Sequence, residues 1–221
     1  MSHTKFKTVA VASVLLGAAS AAQAGFVPIN NVTPIADTIG IVNSNDFKSI
    51  FAGLGVTTYT LGASLGTDAA GLVTYYYYGK EAGYENVFKS GALSYTSGFT
   101  PQTQNYFAAP VTIGSVSVGA GMLNFGFCAY SAPGASQGCI TNAQNDALGI
   151  NSLQSIAFSA TGNVAWLFWD DSGAGPDDNH DDMLIKAVFQ PASVPEPATL
   201  GLLGLGLLGT WLSVKRRLRL S

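Results

Sequence analysis

Leu72-Val73-Thr74-Tyr75-Tyr76-Tyr77-Tyr78 is a run of apolar, β-branched and aromatic residues with a glycine at each end, Gly71 and Gly79. Such side chains fit the pleated, half-buried surface of a strand, and glycine marks where a strand stops. Val56-Thr57-Thr58-Tyr59-Thr60-Leu61, Val111-Thr112-Ile113-Gly114-Ser115-Val116-Ser117-Val118 and Val164-Ala165-Trp166-Leu167-Phe168-Trp169 have the same character, with Gly, Asn, Asp and Ser turns around them. Strands separated by turns, with almost no helical periodicity, place the chain in the all-β class, as an antiparallel β-sandwich or jelly-roll-like single domain. One short helix is expected, around Asp46 to Phe51 behind a cap at Ser44 or Asn45.

Working outward, Met183 to Phe189 reads as a further strand, with Met183, Ile185, Ala187 and Phe189 on one face and Lys186 on the other. Between it and Trp169 lies Asp170-Asp171-Ser172-Gly173-Ala174-Gly175-Pro176-Asp177-Asp178-Asn179-His180-Asp181-Asp182, six carboxylates in 13 residues. These repel one another unless something neutralises them. Calcium takes six to eight oxygens, from carboxylates, Asn side chains and backbone carbonyls. Asp170, Asp171, Asp177, Asp178, Asn179, Asp181 and Asp182 are its candidate ligands, with Gly173 and Gly175 allowing the chain to wrap around an ion. The competing reading is a solvated acidic turn, since the spacing matches neither an EF-hand nor the calcium-binding β-helix repeat.

His180 beside these carboxylates invites a general-base role. Gly62-Ala63-Ser64-Leu65-Gly66 and Gly134-Ala135-Ser136-Gln137-Gly138 both match G-x-S-x-G, so a secreted hydrolase would use Ser64 or Ser136 with His180. That motif has meaning only at a strand-to-helix elbow of an α/β sheet, and the pattern here has no such alternation. One His among hard carboxylates also suits calcium better than catalytic zinc. The chain is therefore expected to be no enzyme and to carry no catalytic residues.

Strand alternation sends Tyr75 and Tyr77 to one face and Tyr76 and Tyr78 to the other. With Tyr75 and Tyr77 as core, Tyr76 and Tyr78 would be an exposed aromatic pair for sugar rings; the plainer alternative makes all of them packing residues.

The N-terminus MSHTKFKTVAVASVLLGAASAAQAG has the anatomy of a signal peptide: Lys5 and Lys7, an apolar stretch from Val9 to Ala19, and small residues at Ala22-Gln23-Ala24. Residues 1–24 are so assigned, leaving 25–193 as the domain. That segment holds four lysines, no arginine and twelve of the thirteen acids, a net charge of −8. Phosphate-backbone binding needs clustered Lys and Arg, so nucleic acid is excluded as a partner. Cys128 and Cys139, an even pair in an exported chain, are expected to form a disulfide.

At the C-terminus, residues 194–221, Val194-Pro195-Glu196-Pro197 precedes an uncharged run of 17 residues, Ala198 to Val214, and then Lys215-Arg216-Arg217-Leu218-Arg219. The run reaches the lower edge of what a transmembrane helix needs, and the basic cluster holds its end on the cytoplasmic side. Pro197 keeps Glu196 extended, so the tripeptide forms a stiff handle at the membrane surface. An ordinary tail anchor is the plainer alternative.

The combination resembles the PEP-CTERM sorting signal of Gram-negative bacteria, residue by residue at Pro195, Glu196, Pro197, Arg216 and Arg217. The resemblance implies that an exosortase, a membrane-embedded transpeptidase resembling a cysteine protease, recognises and removes the tail. The protein would be transiently anchored in the inner membrane and then pass to the cell surface or outside. Gly79-Lys80-Glu81-Ala82-Gly83-Tyr84-Glu85-Asn86-Val87-Phe88 is similar to a segment of secreted proteins with this tail, and the acidic loop is a second likeness; both are weaker matches than the tail. Bacteria with this system make exopolysaccharide. The resemblance therefore implies a structural or adhesive role in biofilm or floc, with extracellular polysaccharide as a partner; a calcium-dependent glycan-binding module is the alternative.

Overall fold

The computed structural model describes residues 24–29, 35–38, 47–61, 63–99, 109–148, 155–171, 180–192 and 204–208. In chain order the first half holds β1 (Phe26–Ile29), β2 (Ile35–Thr38), α1 (Lys48–Gly53), β3 (Thr58–Leu61), β4 (Ser64–Thr67), β5 (Gly71–Gly79) and β6 (Glu85–Ser90). Next come β7 (Leu93–Thr96), β8 (Val111–Val118), β9 (Gly121–Met122), β10 (Gly126–Ala132) and β11 (Ala135–Thr141). The described domain closes with α2 (Asn142–Leu148), β12 (Ser155–Thr161), β13 (Val164–Asp170) and β14 (Met183–Pro191). The strand pairings are antiparallel, as an all-β chain of this pattern requires.

Among the described residues the strands form a seven-stranded sheet in the order β2-β3-β12-β13-β14-β5-β8, a four-stranded sheet β11-β10-β6-β7, and a three-stranded sheet β1-β4-β9. The sheets share one core because alternate residues of each point inward. Tyr75 and Tyr77 of β5, Trp169 of β13 and Ile185 of β14 meet Phe88 of β6, Phe127 of β10 and Leu65 of β4. Ring contacts carry the seam: Phe127 stacks on Trp169 at 5.0 Å between centroids, and Tyr77 lies 4.5 Å from Tyr95. The turn from β12 to β13 uses Gly162 at φ +57, a conformation glycine adopts without steric cost.

The other face of the seven-stranded sheet is covered by α1. Phe47 and Phe51 are fully buried, and Phe51 packs 5.1 Å from Trp166 and 4.9 Å from Phe168. The helix begins after Phe47, whose side chain makes no capping hydrogen bond. The expected caps Ser44 and Asn45 lie outside the described residues. Burial of its two phenylalanines, not a polar cap, is what holds this one-turn-and-a-half segment in place.

Helix α2, which no apolar periodicity announces, is built on a capping box. Thr141 Oγ1 accepts from the Gln144 backbone N–H, and Gln144 Oε1 accepts from the Thr141 N–H at 2.9 Å. Asn142 and Asn145, three residues apart, then face the same way into the protein. Asn142 exchanges hydrogen bonds with both backbone groups of Leu65 and donates to Leu123 O. Asn145 donates to Ala63 O and Ile156 O and accepts from Ile156 N–H. Two buried amides thereby tie β12 to the chain around β4, with backbone groups that would otherwise be costly to bury.

Candidate functional site

The strands β13 and β14 deliver the acidic loop's two stems to one end of the seven-stranded sheet. Trp169 is paired with Met183, and the ladder continues outward as Asp182 N–H donates to Trp169 O at 3.1 Å and Asp171 N–H to Asp182 Oδ2 at 2.7 Å. Beside β14, β5 ends at Gly79 opposite Leu184, so the chain leaving β5 passes the same stems. Glu81 N–H donates to Asp181 O at 3.0 Å. From the four-stranded sheet, the Asn86 amide reaches across: its Nδ2 donates to Asp171 Oδ2 at 2.8 Å and to Asp182 O at 3.0 Å.

The result is a polar cluster inside the protein. Asp170, Asp171, His180, Asp181, Asp182, Lys80 and Asn86 are all buried. One carboxylate oxygen from each of Glu81, Asp181 and Asp182 lies within 4.8 Å of the others, and Glu81 is only half-buried. The Lys80 ammonium donates to Tyr84 O at 2.9 Å and to Gly98 O at 2.5 Å. Burial lowers the Lys80 pKa, and the carboxylates of Asp171, Glu85, Asp182 and Glu81 oppose that fall. Asp182 is held well above the usual carboxylate range, first by burial and then by the Asp171 charge beside it; the hydrogen bond from Asp171 N–H pulls the other way. Four acids, Asp171, Glu85, Asp182 and Glu81, thus act on one lysine.

His180 adopts φ +55, a left-handed conformation rare for a side-chain-bearing residue. Its ring packs on Tyr59 at 5.3 Å, and it is buried. Asp177, Asp178 and Asn179 of the expected calcium set lie outside the described residues, whereas Asp170, Asp171, Asp181 and Asp182 are gathered in the cluster.

The tyrosine pair needs a correction. Tyr75 and Tyr77 are core, as alternation requires, but Tyr78 is 7% exposed rather than presented to solvent. Its ring meets Trp166 edge-on at 4.9 Å, and the Lys186 ammonium sits over both rings, at 5.7 Å and 5.1 Å. Tyr76 is partly buried against the same cluster. The physical reason is α1: its phenylalanines make the outer face of the sheet a second core.

Both G-x-S-x-G matches fall in strands. Ser64 begins β4, buried, with its hydroxyl donating to Asn142 O at 2.7 Å. Ser136 lies on β11, where its Oγ accepts from Gly138 N–H. Neither occupies the strand-to-helix elbow that exposes a nucleophile. Cys128 and Cys139 stand directly opposite each other on β10 and β11 and form the disulfide.

The spacing of the acidic loop points to its own carboxylates and misses Glu81, Asn86 and Lys80, which arrive from 84 or more residues upstream of Asp170. The one sequence signal for them is the segment Gly79 to Phe88, which is singled out in the sequence by an expected resemblance and not by its polar atoms. Residues 1–23 and the sorting positions Pro195, Glu196, Pro197, Arg216 and Arg217 lie outside the described residues. Of the apolar run 198–214, residues 204–208 are described and are helical, with Leu205, Leu207 and Leu208 exposed. Among the described residues no helix is long and apolar enough to cross a membrane.

Residues 193–217 match the PEP-CTERM protein-sorting motif. No characterised protein and no solved structure matches the chain. The motif marks an exported protein that is a substrate of an exosortase, a membrane enzyme, and whose sorting signal is membrane-anchored before processing.

Proposed function

We propose that the protein is a non-catalytic component of the cell surface or exopolysaccharide matrix, delivered there by an exosortase and serving a structural or adhesive role. The match of residues 193–217 to the sorting motif carries this reading, because it supports export and handling by an exosortase. The domain attached to it supports a scaffold: both faces of its largest sheet are covered by packed aromatic side chains. Of the groups a hydrolase would use, His180 is packed on Tyr59, Ser64 is bonded to Asn142, and Ser136 lies in a strand of the four-stranded sheet. A sugar-binding face at Tyr76 and Tyr78 is not carried forward, since Tyr78 is part of a core.

The test uses protein collected from producing cells and sedimented with their own exopolysaccharide. Co-sedimentation from wild-type cells, together with loss of surface material when the exosortase is deleted, is the expected result. Protein that stays in the supernatant and leaves matrix cohesion unchanged on deletion of its gene would remove the matrix role.

A further inference from the structure

We propose that Glu81, Asn86, Asp181 and Asp182 form a binding site for a divalent cation of the calcium class, placed where the β5–β6 connection meets the two stems of the β13–β14 hairpin. The site stands independently of the matrix role.

Three carboxylate oxygens, one each from Glu81, Asp181 and Asp182, lie within 4.8 Å of one another. Two oxygens bound to one calcium at about 2.3–2.6 Å can be no more than about 5 Å apart, so the three are close enough to share one ion after small side-chain shifts. The stems are fixed by backbone bonds, Asp182 N–H to Trp169 O and Glu81 N–H to Asp181 O, so the carboxylates are placed by the sheet.

Asn86 supplies a separate observation. Its side chain is fully buried, its Nδ2 is spent on Asp171 and Asp182, and its Oδ1 accepts no hydrogen bond. The two ends of an amide share one carbon, so Oδ1 sits in the same cluster as the groups its nitrogen touches. A buried carbonyl oxygen without a donor is costly, and a cation satisfies it. Amide and carboxylate oxygens together are the hard ligand set that calcium takes, with water completing its six to eight positions.

Charge argues the same way. Glu81, Asp181 and Asp182 bring three carboxylates together, and a divalent cation offsets their mutual repulsion. Glu81, half-buried, stands at the solvent side and gives an ion its way in.

The experiment titrates calcium alone into the full chain, purified in detergent and freed of metal by a chelator, with binding heat and thermal unfolding as readouts. Wild type is expected to bind saturably with a dissociation constant of about 10⁻⁴ to 10⁻³ M, in the range of extracellular calcium modules, and to unfold at higher temperature when loaded. Glu81→Gln should bind at least tenfold more weakly, while Glu85→Gln, four residues on and outside the carboxylate group, should bind like wild type. Absence of saturable binding by wild type, or equal affinity in Glu81→Gln, would overturn the site. Should Glu81→Gln lose its β circular-dichroism signal, Glu81→Asp keeps the charge and withdraws the oxygen by one methylene; unchanged affinity there would overturn the site equally.

Discussion

The Asn86 side chain donates to Asp171 Oδ2 at 2.8 Å, joining the start of β6 to the end of β13 across 85 residues of chain. The bond links the four-stranded and seven-stranded sheets at a point where both partners are buried. Asn86→Ala strips a donor from Asp171 and from the Asp182 carbonyl at once, and hydrogen bonds to charged groups contribute about 1.5–3 kcal/mol each. The expected loss is about 2–4 kcal/mol in guanidinium unfolding with chelator present, within the usual span of severe single substitutions. A loss under about 0.5 kcal/mol, the size of an ordinary surface change, would show that the amide does not brace the sheets.

Asn145 is the second long-range brace. Asn145→Ala removes its bonds to Ala63 O, Ile156 O and Ile156 N–H and leaves those backbone groups buried without it. At about 1 kcal/mol per bond plus the desolvation of orphaned groups, the variant should lose about 3 kcal/mol. Hydrogen exchange at Ile156 should accelerate along with global unfolding, since that N–H donates to the lost side chain.

Tyr75 sets a limit on alkaline stability. Burial, only partly opposed by the Ser90 side chain, pushes its pKa from 10.0 up to about 12. A pKa raised on folding means stability that is fully present below pH 10 and is lost as pH rises toward 12, because only the unfolded chain then releases the proton. Across that whole window the loss approaches about 3 kcal/mol. Unfolding midpoints of wild type should fall over this window relative to those of Tyr75→Phe, which has no proton to release. Parallel pH profiles for the two proteins would contradict the assignment.

The Cys128–Cys139 bridge closes a loop with a sequence separation of 11. Chain entropy assigns such a closure about 3 kcal/mol, acting on the unfolded state. The Cys128→Ala, Cys139→Ala double variant should therefore keep its fold and unfold at lower denaturant, with an effect like that of adding reductant to wild type.

The sorting motif is testable apart from the domain. Replacing Pro195, Glu196 and Pro197 together by alanine should leave the chain unprocessed in the membrane fraction, while wild type is recovered at a lower mass outside. Release of the triple variant at the wild-type rate would show that the tripeptide does not direct processing.

Much of the architecture is legible in the sequence because packing periodicity and strand boundaries are local properties. The run Val111 to Val118 is β8 to the residue, and Leu72 to Tyr78 is β5 short of its two terminal glycines. Tyr75 and Tyr77 face the core because alternation allows one face for both. Tyr78 departs from the expected exposure because its cover, Phe47 and Phe51, comes from a helix whose docking place has no local signature. Helix α2 is hidden from a periodicity reading because its inward residues are asparagines, which carry no apolar period; the Thr141–Gln144 capping box is its one available sign. In the cluster, Asp170, Asp171, Asp181 and Asp182 can be found by composition. Glu81 and Asn86 cannot, since only the strand order β13-β14-β5 and the facing β6 bring them there.

Lys80 has a practical consequence for chemical labelling. Its ammonium is enclosed and bonded to two carbonyls, whereas Lys48 and Lys89 are exposed. An amine-acylating reagent added to the folded protein therefore marks the outer lysines of the domain and spares this one. Acylated Lys80, read by mass spectrometry as a modified peptide, is a record that the molecule had opened before the reagent reached it.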